Sequence, residues 1–248
     1  MKKFLQQAYE FVADLVAPVG CRCLSCDSEV FDNTGFCQQC TPKLPFNNGK
    51  TCLRCGVAIH GAEDYCGNCA FDKIYFDKGY SVFSYDGVVK DAILKMKFTG
   101  AGRFAKVLAN YLVFLAQKHN LQYDLVCYVP MTKTSQKQRR YNQSELLAKY
   151  FCMAQDVDVL CHALAKIKQT ERQESLGKQQ RKENLVGAYK CVADVKGKRV
   201  LVIDDVKTTG STINECAKVL KRAGATSVVG LTVASREEQT QWEIDEEI

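Results

Sequence analysis

Residues 197–212, GKRVLVIDDVKTTGST, constrain this chain more than any other segment. The short apolar run from Arg199 to Ile203 has the make-up of a central parallel strand, buried on both faces. Two adjacent carboxylates, Asp204 and Asp205, stand at its exit, where burying them is costly unless they are satisfied. Vicinal ribose hydroxyls with a nearby Mg²⁺ would satisfy them. Lys207, Thr208, Thr209, Gly210, Ser211 and Thr212 come next. Small hydroxyl side chains and a glycine let backbone N–H groups wrap a phosphate, and the helix that follows adds the positive end of its dipole. Capping that helix needs one such residue, not the whole run. The order of parts therefore suits a phosphorylated sugar. No GxxxxGK[ST] segment is present, which excludes a Walker-type phosphate loop.

The surrounding pattern extends that one strand into a sheet. Tyr80 to Tyr85 reads as a strand, and Asp86 to Phe98 carries Val89, Ile93, Leu94 and Met96 at helical spacing. Phe104 to Lys118 is a second apolar helix. Asp124 to Met131 reads as a buried strand running into Pro130, and Asn142 to Ala154 as a helix for which Asn142 suits the N-cap. Tyr189 to Val192 is a further strand candidate. Ile213 to Ala223 is a helix closed by Gly224, and Val228 to Ala234 is the next strand. Strands alternating with helices imply an α/β fold, a parallel sheet flanked by helices. Ligands of such sheets sit beyond the carboxyl ends of the strands. The turn after Pro130, the loop after Ile203 and the turn after Ala234 converge there.

Ahead of this region the cysteines repeat. Cys23/Cys26 recurs as Cys52/Cys55, and Cys37/Cys40 recurs as Cys66/Cys69, each 29 residues on. Two intervening residues let a tight turn aim both thiolates at one ion, and two such turns complete a tetrahedral Cys₄ site. Gly35 and Gly56 would help those turns adopt unusual dihedrals. About two structural zinc ions follow, stapling a module too small to build its own core. The ions are held either within each repeat or by interleaving Cys23/Cys26 with Cys52/Cys55. Cys21 is left over. The remaining five, Cys127, Cys152, Cys161, Cys191 and Cys216, lie in apolar or helical contexts and read as buried thiols.

These boundaries divide the chain into an N-terminal helix (1–20), a tandem Cys₄ module (21–72), an α/β domain (76–236) and an acidic tail (237–248). The first twenty residues place Phe4, Leu5, Ala8, Phe11, Val12, Leu15 and Val16 at helical spacing, with Glu10 and Asp14 interrupting the apolar run. An amphipathic helix docked on the body is expected, with a membrane-surface helix as the alternative. No run reaches the roughly 20 apolar residues needed to span a bilayer. A reducing, cytoplasmic location is expected, where CxxC pairs hold metal. The net charge is +6. Up to Tyr75 there are 7 basic and 8 acidic residues, so the rest of the chain carries +7. A basic main domain suits an anionic ligand, a polyphosphate or nucleic acid.

VLVIDDVKTTGST resembles the 5-phosphoribosyl-1-pyrophosphate (PRPP) motif of type I phosphoribosyltransferases. The wider order resembles the ComF family of bacterial competence-associated proteins: knuckles, then YDGVVKDAILKMKFTG, VPMTKTSQKQRRYNQSELLA, a region with Gln173, Leu176, Arg181, Asn184 and GAY, and the PRPP motif last. Tyr141 departs mildly from the more usual Phe, and many members have fewer knuckle cysteines. The resemblance implies a type I phosphoribosyltransferase fold behind a zinc-knuckle module. It further implies that Asp204 and Asp205 contact ribose hydroxyls, that Thr208 to Thr212 hold the 5′-phosphate, and that Lys207 belongs to the same PRPP site. Pro130 to Lys133 would form the pyrophosphate loop, with Mg²⁺ accompanying PRPP. Lys137, Arg139 and Arg140 would add positive charge there, and Arg172, Lys178, Arg181 and Lys182 would belong to a lid, all of these being equally readable as solvated loop charges. In a phosphoribosyl transfer, Asp204 and Asp205 would be the catalytic pair. Thr208 stands where 6-oxopurine enzymes carry an Asp, which removes the usual proton handler for purine salvage. A role in DNA uptake and natural transformation is implied, with single-stranded DNA and a competence helicase as partners. The other reading is a working phosphoribosyltransferase with an unidentified acceptor.

Overall fold

The computed structural model describes residues 22–30, 34–98, 101–132, 141–170 and 178–236. The expected helix at 1–20, Cys21 and the acidic tail lie outside the described residues. Along the chain run α1 (Gly67–Phe71), β1 (Lys78–Ser84), α2 (Gly87–Phe98), α3 (Ala101–Lys118), β2 (Leu125–Tyr128) and α4 (Gln143–Ala154). Then come β3 (Leu164–Lys166), α5 (Lys178–Leu185), β4 (Tyr189–Cys191), β5 (Arg199–Lys207), α6 (Ser211–Arg222) and β6 (Ser227–Ser235).

The central sheet has the order β1-β6-β5-β2, and every pairing in it is parallel. Alternation along β5 divides its apolar residues between two cores. Leu201 and Ile203 join the side chains of α2, α3 and α4, including Ile93, Met96, Leu108, Leu112, Leu147 and Phe151. Val200 and Val202 point the other way, onto Ile213, Cys216, Ala217 and Leu220 of α6. A strand buried on both faces needs no polar residue until its end, which is why the run stays apolar up to Asp204.

Three elements differ from the sequence reading. β5 runs through both aspartates to Lys207 because β6 continues to pair with it as far as Lys207↔Ser235. β2 stops at Tyr128, two residues before Pro130, which has no N–H to give a ladder. The antiparallel pairing of β3 with β4 is not readable at Leu164–Lys166, since three residues are too few to show a period. Part of the stretch read as a lid is the helix α5, while Arg172 falls outside the described residues. Of the five scattered cysteines, Cys127, Cys152 and Cys216 are buried, but Cys161 and Cys191 are only half-buried.

The two halves of the cysteine repeat dock on opposite faces. Cys23, Leu24 and Phe36 belong to the core beneath α3, whereas Cys52, Cys55, Val57, Cys66 and Cys69 belong to the core beneath α6. The connection between them covers the open edge of β1. The Asn47 N–H donates to the Val82 carbonyl at 3.0 Å, the Ser84 N–H to the Pro45 carbonyl at 2.8 Å and the Gly79 N–H to the Arg54 carbonyl at 2.7 Å. An edge strand left bare would offer those groups to another chain. Gly56 sits at φ +68°, and a Cβ there would lie 2.5 Å from the Gly79 carbonyl oxygen. Only a glycine lets this knuckle lie flush on β1.

Candidate functional site

The thiols resolve into two clusters, Cys23/Cys26/Cys37/Cys40 and Cys52/Cys55/Cys66/Cys69, with the sulfurs of each within 4.8 Å of one another. Pairing is therefore within each repeat, and interleaving is excluded. Sulfur separations are 3.6 Å for Cys26–Cys37, 3.7 Å for Cys26–Cys40 and 3.6 Å for Cys55–Cys66. An ion with Zn–S bonds of about 2.3 Å at a tetrahedral centre places its sulfurs ~3.8 Å apart, so both clusters fit a closed, structural Cys₄ site.

At the sheet's carboxyl end, Asp204 is 8% exposed. Its Oδ1 accepts from Ser144 Oγ at 2.7 Å and from the Asp205 N–H at 3.0 Å. Asp205 Oδ1 accepts from the Val206 N–H at 2.7 Å, and its Oδ2 lies 3.6 Å from Lys97 Nζ. Burial, and then the neighbouring Asp205 charge, push the Asp204 carboxyl up to about 8. Ser144 and Lys97 were both missed as site residues, although each lies in a quoted segment (YNQSELLA and KMKFTG). Nothing in their spacing says that they face the acids.

The raised Asp204 pKa has a consequence for stability. In the unfolded chain Asp204 ionises near its ordinary 3.8, and in the fold near 8. Between those values the folded state binds the extra proton, so this group's contribution falls as pH rises from about 4 to 8 and is then constant. Asp204→Asn removes the penalty, and Asn can still accept from Ser144 and the Asp205 N–H. Without ligand, the variant is expected to melt at or above the wild type, with a gap that widens between pH 5 and 8, on the order of 1–3 kcal/mol. Thermal melts across that range decide it; a constant gap removes Asp204 as the titrating group.

Beyond Lys207 the chain turns through Thr208, Thr209 and Gly210 into α6. Gly210 has φ +79° at the N-cap position, without a side-chain cap. Thr209 Oγ1 and Ser211 Oγ are 2.7 Å apart, and the Ser211 N–H donates to Thr209 Oγ1 at 3.4 Å. The loop thus presents hydroxyls and first-turn N–H groups at a helix start, chemistry that holds an anion. Thr212 follows as the second residue of the helix. The Lys207 side chain reaches toward the cysteine module. It is 5% exposed, and its ammonium donates to the Cys55 carbonyl at 2.6 Å, in the second cysteine cluster. A cavity of about 180 Å³ separates that cluster from the loop, with Asn68, Cys69, Thr209, Gly210 and Ser211 in its walls.

The neighbouring strand brings Pro130 beside this end, since the Val129 N–H donates to the Ile203 carbonyl at 3.1 Å. Asn142 ties the same corner together. Its Oδ1 caps α4 by accepting from the Ser144 N–H at 3.0 Å, and its Nδ2 donates to the Val129 carbonyl at 3.0 Å. The sequence-level N-cap is therefore correct, and Asn142 also positions Ser144 for Asp204. Gln143 is 3% exposed, and among the described residues its Nε2 has no hydrogen-bond partner. Lys133, Arg139 and Arg140 lie outside the described residues. Arg181 falls on α5, its side chain outside what is described.

A parallel sheet whose central strand carries two acids near its carboxyl end and runs into a Thr/Gly/Ser loop defines the class. The chain belongs to the phosphoribosyl transferase domain family, which matches residues 99–246. A double zinc ribbon domain matches residues 12–70. Within that class its relatives bear out the ComF resemblance. The chain is similar to competence protein F of Haemophilus influenzae, with 28% identity over 217 residues, 84% of this chain and 93% of that protein. It is similar to the DNA utilization protein YhgH of Escherichia coli, with 27% identity over 199 residues, 78% and 87% of the two chains. It is also similar to competence protein ComFC of Streptococcus pneumoniae, with 26% identity over 206 residues, 79% and 86% of the two chains. No helix among the described residues is long and apolar enough to cross a membrane.

Proposed function

We propose that this chain is a ComF-like protein of DNA uptake whose Asp204–Thr212 segment binds PRPP or a related phosphoribosyl ligand with Mg²⁺. The observation that carries the reading is the pair of carboxylates near the carboxyl end of β5, held by Ser144 and Lys97, five residues ahead of a helix start without a side-chain cap. The carboxylate oxygens of Asp204 and Asp205 suit a hard cation and ribose hydroxyls, and the N–H groups of the loop suit the 5′-phosphate. Pro130 and Lys133 would border the pyrophosphate. Mg²⁺ would neutralise pyrophosphate charge when bound. The names of the relatives, competence and DNA utilization proteins, support a role in DNA handling. Single-stranded DNA and a helicase are the partners that this reading proposes.

Calorimetry with PRPP and Mg²⁺ tests the pocket. Binding is expected only with the cation, and it should tighten as pH rises from 6 to 8 because Asp204 has to ionise. No heat with PRPP at any pH in that range defeats the ligand assignment. The DNA role is tested by titrating labelled single strands. Affinity should fall at least about tenfold between roughly 50 and 200 mM salt, as counterions compete for the phosphates. Absence of binding even at low salt defeats the nucleic-acid part alone.

A further inference from the structure

Lys207 occupies an unusual place. Its backbone is the last residue of β5, at the root of the loop. Its ammonium reaches a carbonyl 152 residues away in sequence, that of Cys55, itself a member of the second cysteine cluster. No carboxylate among the described residues forms an ion pair with it. Its methylenes run beneath the loop: a Cβ placed on Gly210 would lie 3.8 Å from Lys207 Cδ and 4.0 Å from Cγ. The knuckle that offers the carbonyl is held by hydrogen bonds from the Gly56 N–H to the Cys52 carbonyl at 2.9 Å and from the Cys52 N–H to the Val57 carbonyl at 2.8 Å. Cys55 and Cys69 from the cluster, and Thr209, Gly210 and Ser211 from the loop, are walls of one cavity.

We propose that Lys207 is a positioning residue through which a metal ion in the second ribbon and an anion in the Thr208–Thr212 loop stabilise each other. A buried ammonium needs nearby negative charge and a filled hydrogen-bonding shell. A Cys₄ site loaded with a dication carries net negative charge, because its ligands bind as thiolates. The ion also fixes the turn that aims the Cys55 carbonyl. Loss of the ion removes both supports, and the Lys207 stem and the Gly210 turn above it lose their common anchor. Coupling between sites is reciprocal in binding free energy, so an anion that orders the loop must raise the ion's affinity; we place that gain in the escape step, because the ordered loop holds the Lys207 contact that the ribbon must break to open. The coupling rests on the reading of that loop as an anion site; the contact with Cys55 does not.

The experiment follows zinc release from the holoprotein into a chromogenic chelator, with and without ribose 5-phosphate. A Cys26→Ser chain, in which only the second cluster is complete, assigns the two kinetic phases. In the wild type, ribose 5-phosphate is expected to slow second-site release about tenfold and to leave the first site unchanged, a size ordinary for coupled sites. In Lys207→Met, which keeps the stem, ligand-free release from the second site should be about tenfold faster and the ligand effect should vanish. Lys207→Arg should restore both. Wild-type rates from the second site in Lys207→Met, or the same ligand effect in that variant, overturn the proposal. If Lys207→Met does not fold, the wild-type ligand arm and Lys207→Arg decide. Ribose 5-phosphate that binds by calorimetry without slowing release refutes the coupling and leaves the ligand site standing. Failure to bind at all refutes the anion site and the coupling together, and the ligand-free comparison then settles the Lys207–metal contact by itself.

Discussion

Cys52→Ser is expected to lower the zinc content from about two ions per chain to about one and to destabilise the whole protein by several kcal/mol. Binding of a structural zinc ion is on the order of 10 kcal/mol or more of folding free energy, and a three-thiolate remnant keeps only part of it. The loss does not stay local. Cys52, Cys55, Cys66 and Cys69 sit in the same buried cluster as Phe76, Ile213 and Cys216. The Arg54 carbonyl of the same knuckle also satisfies the Gly79 N–H on the edge of β1. A loosened ribbon thus opens the core beneath α6 and exposes a sheet edge at once. Metal analysis with a thermal melt checks this, and Cys191→Ser serves as the control, because that thiol is half-buried and belongs to neither cluster. Two zinc ions retained with an unchanged melting point would show that Cys52 is not a metal ligand.

Asp205→Ala is expected to weaken binding of PRPP with Mg²⁺ by at least about a hundredfold. Two effects act together. The substitution deletes oxygen donors that a hard cation and ribose hydroxyls require. It also strips Lys97, whose side chain is 11% exposed, of the carboxylate 3.6 Å away. A mostly buried cation that loses a neighbouring carboxylate is less well compensated, so the charge balance of the pocket shifts as donors are lost. Asp205→Asn keeps the shape and should show the charge effect alone. Calorimetry with PRPP and Mg²⁺ is the measurement, and an affinity within about threefold of wild type in Asp205→Ala would remove Asp205 from the site. Asp204 behaves differently in the free protein: its substitution by Asn relieves a buried charge even as it removes a ligand group.

Much of the architecture was legible because its signals are local. The two-residue spacing inside each CxxC knuckle, the apolar run from Arg199 to Ile203 and the helical spacing from Asp86 to Phe98 each lie within one short segment. Asn142 was legible as a cap for the same reason, its partner being two residues away. The short β3 carries too few residues to show a period. The continuation of β5 through Asp205 to Lys207 depends on β6, a partner strand that the residues of β5 do not specify.

From the sequence alone came the CxxC knuckles, the order of strands and helices, and the run of acids, hydroxyls and glycine that suits a phosphorylated sugar. Those properties follow from residue type and spacing, which the chain carries whether folded or not. Tertiary structure alone decided that each repeat closes on itself and that the two ribbons dock on opposite faces of the sheet. It brought Ser144 across 60 residues to Asp204, set Lys97 against Asp205, and turned Lys207 to Cys55 across 152 residues. Contacts at that separation arise from how the layers stack and which edges they leave open, and no local period records them.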